Sequence, residues 1–223
     1  MQSHIVKAFD AEINTLNQTI TTMAKTCEEQ LRLAALAFNT LDMSLAEQII
    51  KDDRYINRFE REIEENCVRI LARRQPLAED LRYILAAMKM AAELERIGDY
   101  AGNIAKRVTH ISKSPSQEVV SLICEMANLC RKMLTDVMDS FHALDIEKAI
   151  AVWHQDNEID KKFARTMTLV RKQMLDDAAA VDDATQLIFI GRCCERIGDH
   201  ITNMAEDIYY IATGKNYMDR FEC

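Results

Sequence analysis

A five-residue motif occurs twice in this chain, and the two copies lie 100 residues apart. Residues 95–99 read ERIGD, and residues 195–199 read the same. A second pair of segments also matches: LDMSLAEQIIKDDRYIN at 41–57 aligns with LDIEKAIAVWHQDNEID at 144–160, at an offset of 103. Repetition at such a spacing is typical of a duplicated structural unit. It predicts two similar halves, residues 1–112 and residues 117–223, joined at the proline-containing segment SKSPSQE (112–118).

The chain is poor in residues that interrupt helices. It has 5 Gly and 2 Pro in 223 residues, while 48% of its residues are hydrophobic. Short strands joined by tight turns need more turn-forming residues than this, so long helices are favoured. The predicted helices span 5–40, 45–73, 78–111, 117–142, 146–175 and 183–213. The predicted fold class is therefore all-α, with two tandem three-helix bundles built from six long antiparallel helices.

Aspartate and serine residues mark the expected starts of several helices. Asp42 or Ser44 is placed to cap the second helix of the first half, and Asp145 the equivalent helix of the second half. Their side chains can accept hydrogen bonds from the unpaired N–H groups of a first turn. Asp182 or Asp183 is expected to cap the last helix in the same way.

Composition excludes several functional classes. A net charge of −8 and a pI near 5.2 argue against a nucleic-acid-binding protein, because phosphate binding needs a basic surface. No stretch approaches 18 apolar residues, and the first residues lack an apolar signal region, so neither a membrane span nor a signal peptide is predicted. Seven cysteines without C-x-x-C spacing are typical of reduced cytoplasmic thiols.

Helical periodicity separates a core stripe from an acidic row in the third helix of each half. At 100° per residue the core positions share one face, and they are Leu94, Ala101, Ala105 and Val108, repeated as Cys194, Ile201, Ala205 and Ile208. The polar row on roughly the opposite side comprises Glu95, Asp99 and Asn103, repeated as Glu195, Asp199 and Asn203. These acids are therefore expected outside the core, on a ridge or in a shallow groove beside a neighbouring helix.

The second helices carry acids that can face the same groove. In the first half Asp53, Asn57, Glu60 and Glu64 share a narrow arc, and in the second half Asp156 and Asp160 lie four residues apart. A cluster of carboxylate and amide oxygens suits hard cations better than zinc or copper. The pattern thus favours two oxygen-rich metal sites, one in each half.

Two features bear on this metal hypothesis. Like charges four residues apart repel on a helix, and a helical glycine costs about 1 kcal/mol relative to alanine, yet both halves keep the acids and keep Gly98 or Gly198. A glycine would allow another group to approach closely. The alternative is an ordinary solvated helix face on which Arg96 and Arg196 neutralise the acids.

No catalytic motif accompanies these acids. None of the five histidines follows a glutamate by three residues, so the E-x-x-H pair of di-iron bundles is missing. P-loop, G-x-S-x-G, H-E-x-x-H and dinucleotide-binding signatures are also missing. His200 is expected to be exposed rather than to bind a metal. We find no nucleophile–base pair, so no catalytic residue is assigned and the chain is not predicted to be an enzyme.

ERIGDYAGNIAKR and ERIGDHITNMAED resemble the signature of the PhoU family of accessory and regulatory proteins of phosphate-specific transport. The resemblance extends over nearly the whole chain, including EREIEENCVRILARRQPLAEDLRYI (60–84) and DIYYIATGKN (207–216). It implies surface metal clusters of divalent or trivalent ions, with iron, manganese or magnesium expected. The implied metal ligands are Glu95, Asp99, Glu195, Asp199, Asp53, Asp156 and Asp160. A possible second tier comprises Asn103, Asn203, Asn57 and Glu206.

The first copy departs from the second at two of these positions. Lys106 stands where the second copy has Glu206, and Asn57 stands where it has Asp160. A less acidic first cluster should bind metal more weakly.

The resemblance also implies a function. The chain resembles the bacterial negative regulator of the phosphate-starvation response, which connects the phosphate ABC transporter ATPase to a membrane sensor histidine kinase. The chain is accordingly expected to take part in phosphate transport, phosphate homeostasis and signal transduction, as a cytoplasmic homodimer that reaches the inner membrane through its partners. The alternatives are a metal-dependent phosphohydrolase and a metal-storage module.

Overall fold

A computed structural model describes the backbone of residues 2–217 and the side chains of residues 9–217. Its regular elements are all helical, and no strand occurs in that part of the chain. The helices are α1 (Gln2–Thr40), α2 (Met43–Asp52), α3 (Arg54–Arg74), α4 (Ala78–Val108), α5 (Gln117–Ala143), α6 (Ile146–Asp176) and α7 (Val181–Thr213), with a 3₁₀ turn at Ala178–Ala180. Helices α1–α4 form the first bundle, in which α2 and α3 together take the place of the predicted second helix. Helices α5–α7 form the second bundle. The predicted all-α fold of two tandem three-helix bundles is confirmed.

The second helix of the first half is not continuous, so the prediction of one helix over 45–73 is wrong. It divides at Asp53, which lies between α2 and α3. The amide N–H of Ile56 donates to the carbonyl of Asp53 at 3.0 Å, a bond spanning three residues instead of four. Buried positions continue on both sides of the break, with Ile49 before it and Ile56 after it. Hydrophobic periodicity therefore gave no sign of a one-residue interruption.

The caps of the second helices are confirmed, but the cap of the last helix is not. Asp42 accepts from the amide of Leu45 at 3.0 Å, and Asp145 from the amide of Lys148 at 3.0 Å. The N-cap of α7 is Ala180, because the 3₁₀ turn runs directly into this helix.

Asp182 and Asp183 therefore lie inside the first turn of α7 instead of capping it. Asp183 accepts hydrogen bonds from the backbone amides of Ser112 at 2.8 Å and Lys113 at 3.1 Å. It thereby fastens the segment between the two halves to the start of α7.

The two halves pack through α1 and α4 of the first against α5 and α7 of the second. Helices α4 and α7 run antiparallel: Lys89 pairs with Asp207 at 2.8 Å, and the Arg107 guanidinium lies 4.4 Å from the ring centroid of Phe189. Residues 89 and 189 are equivalent in the two repeats, and so are 107 and 207. This reciprocal pairing relates the halves by an approximate two-fold axis.

The predicted core stripe is confirmed in both halves. All eight of its members are buried, with at most 3% of their surface exposed. Small residues are buried on these helices, including Ala101 and Gly102 on α4 and Gly191 on α7. Within the described residues, no helix is long and apolar enough to cross a membrane.

Candidate functional site

In the second half, the glycine of the repeated motif provides the space for a carboxylate. The Asp156 carboxyl group, from α6, lies directly against Gly198 of α7. A Cβ at position 198 would overlap Asp156 Oδ1 and lie 2.9 Å from Ile159 Cδ1. The glycine thus brings an acid of α6 onto the helix that carries Glu195 and Asp199.

The first half uses its glycines differently. A Cβ at position 98 would lie 2.5 Å from Ile56 Cδ1, so Gly98 accommodates an apolar side chain of α3. Asp53 instead faces Gly102, where a Cβ would lie 3.7 Å from Oδ1, and the buried Gln30 side chain lies beside both glycines. The interruption between α2 and α3 therefore places Asp53 about one helical turn away from the position that the second half uses.

The glutamates of the two motifs lie in grooves, and the aspartates lie at their edges. The side chains of Glu95 and Glu195 are 15% and 14% exposed, whereas those of Asp99 and Asp199 are 36% and 40% exposed. The sequence left open whether the acids form an exposed ridge or lie in a shallow groove. In the structure the glutamates lie in a groove. Asp160 lies farther out and is exposed.

Burial and mutual repulsion shift these acids towards their neutral forms. Desolvation, followed by the charges of Asp160, Asp199 and Glu195, raises the pKa of Asp156 to about 7. Desolvation also raises the pKa of Asp53, with a further contribution from the charge of Asp99. The two motif glutamates have raised pKa values for the same two reasons. Each groove would therefore be stabilised by added positive charge.

Arginines of the same motifs supply part of that charge. Arg96 contacts Glu95 at 3.5 Å and Asp99 at 3.4 Å. In the second half Arg196 contacts Asp199 at 3.0 Å and Glu195 Oε2 at 3.8 Å, while Arg192 binds Glu195 Oε1 at 2.7 Å. The arginine-neutralised arrangement that the sequence left open is thus present in this structure.

Some groove oxygens nevertheless have no hydrogen-bond donor. They are buried, and they are Asp53 Oδ1 and Asn57 Oδ1 in the first half and Asp156 Oδ1 and Glu195 Oε2 in the second. Buried oxygens without a donor are costly, and an all-oxygen set of this kind fits a hard cation. Among the described residues, however, no three His, Cys, Asp or Glu side chains converge closely enough to hold a metal ion as they stand. Cation binding would therefore require these side chains to draw together and the arginines to move aside.

The possible second-tier residues have varied contacts. Asn103 Oδ1 accepts from Lys106 at 3.5 Å, and Glu206 accepts from the Trp153 indole N–H at 3.0 Å. Of the four, Asn57 alone has a buried oxygen without a hydrogen bond in the described part of the chain.

The remaining second-tier residue, Asn203, faces the other half. Its amide donates to both carboxylate oxygens of Glu93 at 3.3 Å. His200, predicted to be exposed, lies beside it with Nδ1 2.6 Å from Glu93 Oε2 and only 20% of its side chain exposed. The sequence pattern missed this cross-half contact because Glu93 and His200 are not repeated: the equivalent positions hold Cys193 and Tyr100.

A buried thiol lies behind each groove, which the sequence reading also missed. Cys27 Sγ donates to the carbonyl of Leu94 at 3.2 Å, and Cys130 Sγ to the carbonyl of Cys194 at 3.3 Å. These carbonyls belong to the residues just before the motif glutamates. Cys27 and Cys130 share the 103-residue offset of the second helices, so the repeat could have revealed them. Burial raises their pKa values well above the ordinary range, so they serve as structural rather than nucleophilic groups.

The fold and the grooves define a class of protein: a duplicated helical-bundle protein with one carboxylate groove in each half. The PhoU domain family matches residues 20–108 and 123–208. The chain belongs to the PhoU family.

Relatives of known name are similar over almost their whole length. The phosphate-specific transport system accessory protein PhoU homolog of Zymomonas mobilis is 37% identical over 217 residues, covering 97% of this chain and 92% of the relative. The corresponding accessory protein PhoU of Escherichia coli is 34% identical, covering 97% and 90%.

Solved structures show the same fold. The crystal structure of PhoU from Pseudomonas aeruginosa matches with a TM-score of 0.88 at 34% identity, covering 93% of this chain and 100% of that one. The phosphate transport system regulatory protein PhoU from Streptococcus pneumoniae matches with a TM-score of 0.87 at 31% identity, covering 93% and 98%.

Proposed function

We propose that this chain is an accessory protein of phosphate-specific transport that negatively regulates the phosphate-starvation regulon and phosphate uptake. The observation that carries this proposal is its similarity, over 97% of its length, to accessory proteins named for that transport system. As an adaptor it would contact the transporter ATPase and the sensor histidine kinase, work as a homodimer in the cytoplasm, and reach the membrane through these partners. It would act by contact and not by catalysis, in keeping with the buried, protonated thiols.

A gene deletion in the source organism tests this role. Without the chain, a reporter driven by a phosphate-starvation promoter should be expressed in phosphate-rich medium, and expression of the chain from a plasmid should restore repression. Capture of the kinase or of the ATPase by the tagged chain, from solubilised membranes, tests the contacts themselves. Normal repression in the deletion strain would refute the regulatory proposal.

We also propose that each groove holds a hard metal ion, such as iron, manganese or magnesium. In the first half Asp53, Asn57, Glu95 and Asp99 would hold the ion, and in the second half Asp156, Asp160, Glu195 and Asp199 would do so. The positive charge of the ion would stabilise the ionised forms of the acids, whose pKa values are raised without it. The ion would also give the buried oxygens a partner. Lys106 and Asn57 make the first site the weaker of the two.

Elemental analysis of protein purified without chelators or nickel resin tests these sites. The double variant Glu195→Ala/Asp199→Ala should lose more metal than Glu95→Ala/Asp99→Ala does. The matched control Glu62→Ala/Glu65→Ala removes two exposed acids of α3 and should retain the metal content of the unmodified chain. Unchanged metal content in both groove variants would favour the arginine-neutralised arrangement.

A further inference from the structure

A cleft of about 750 Å³ opens between the two halves at one end of the molecule, away from the carboxylate grooves. It lies among the beginnings of α1 and α4 and the ends of α5 and α7. The apolar part of its lining comes from Phe9 and Ile13 of α1, Leu144 after α5 and Ile211 of α7. Leu144 is 43% exposed. This volume lies within the range of about 300–1,000 Å³ typical of ligand-binding sites.

The rim of the cleft is negatively charged. Asp10 of α1 and Glu79 and Asp80 of the first turn of α4 line it, and all three are exposed. No lysine or arginine is among the described residues that line the cleft. None of the three acids forms an ion pair within the part of the chain that the structure describes. The Arg82 guanidinium lies beside the cleft, where its Nε donates to the carbonyl of Ile211 at 3.3 Å. The three acids outnumber this arginine, so the rim carries a net negative charge.

The two-fold relation between the halves explains why this end is open. At the other end, Asp183 accepts hydrogen bonds from Ser112 and closes the segment between the halves onto α7. At the open end the equivalent positions are Tyr83 and Ala212, which cannot form this contact. The Tyr83 hydroxyl donates instead to Asn17 at 2.5 Å. The cleft therefore arises from a difference between the repeats.

We propose that this cleft binds a basic amphipathic segment of a partner protein. An apolar face of such a segment would contact the floor formed by Phe9, Ile13, Leu144 and Ile211, and its lysines or arginines would face the three acids of the rim. The negative rim disfavours an anionic membrane surface as the occupant. The inference rests on the proposed adaptor function, since it identifies the surface through which one partner is held.

The test measures binding of a fluorescein-labelled amphipathic peptide, composed of leucine and lysine, by fluorescence anisotropy. The double variant Glu79→Gln/Asp80→Asn should weaken binding roughly five- to tenfold, because each screened charge contact contributes modestly. The matched control Asp176→Asn/Asp182→Asn removes two exposed acids at the opposite end and should change affinity less than twofold. Higher salt should abolish the difference between the two variants.

Equal affinity of the two double variants would overturn the proposal, and so would equally tight binding of a peptide with glutamate in place of lysine. If the chain self-associates and only the Glu79→Gln/Asp80→Asn variant is monomeric, the occupant is a second copy and the proposal is wrong. Capture of the kinase or ATPase separates this proposal from the proposed function. Capture by neither chain contradicts the adaptor role, whereas equal capture by the unmodified chain and the cleft variant contradicts only the cleft.

Discussion

Gly102→Ala should stabilise the protein, whereas Gly198→Ala should give no gain in stability or lower it. Both glycines lie inside helices, so each substitution gains about 1 kcal/mol of helix propensity. At position 102 the new Cβ meets atoms no closer than 3.7 Å, an ordinary contact, and this gain should be retained. At position 198 it overlaps the Asp156 carboxyl group and lies 2.9 Å from Ile159 Cδ1. Overpacking of that kind typically costs about 1–3 kcal/mol.

The expected difference between the two variants is therefore about 1–3 kcal/mol in the free energy of unfolding. For a chain of this size 1 kcal/mol corresponds to a shift of about 2–4 °C in Tm, so calorimetry can resolve it. Urea unfolding followed by circular dichroism gives the free energies directly. A Gly198→Ala variant at least as stable as Gly102→Ala would refute the close packing of Asp156 on Gly198.

A double-mutant cycle isolates the contact itself. Truncating the carboxylate with Asp156→Ala removes the atom that the new methyl group would overlap. Gly198→Ala should then be less destabilising in the Asp156→Ala background than in the unmodified chain. The coupling energy expected for residues in contact is about 0.5–3 kcal/mol. Strict additivity of the two substitutions would contradict the arrangement.

Three further outcomes follow from particular contacts. Backbone donors hold the pKa of Asp183 below its ordinary value. Its stabilising contribution is therefore present above about pH 4 and is lost as the pH falls through the lowered pKa. In acid unfolding, the stability of the Asp183→Asn variant should depend less steeply on pH in this range than that of the control Asp182→Asn. Glu93→Gln replaces the carboxylate that contacts His200 and accepts from Asn203 across the halves, and it should cost about 1–2 kcal/mol in urea unfolding; no change would contradict that contact. Cys194 is fully buried whereas Cys124 is partly exposed, so a thiol-specific reagent should modify Cys124 before Cys194 in the native protein, as peptide mass spectrometry can check.

The sequence by itself determined the class of fold and the position of the acidic rows. Scarce glycine and proline left long helices as the main solution, and the repeat of ERIGD required two similar bundles. Periodicity placed Leu94 and Cys194 in the core and the neighbouring glutamates outside it, because side-chain direction along a helix follows from residue number alone. The caps at Asp42 and Asp145 were predictable for the same local reason.

Only the tertiary structure decided what meets across helices. The position of Asp53 against Gly102, the pairing of Glu93 with His200 and the open cleft beside Tyr83 all bring together residues that are distant in sequence. Helical periodicity describes one helix at a time, so it cannot show whether a neighbour brings an aspartate, an isoleucine or a gap to a given glycine. The approximate two-fold axis relates equivalent positions of the two repeats. Where these positions hold different side chains, their contacts differ.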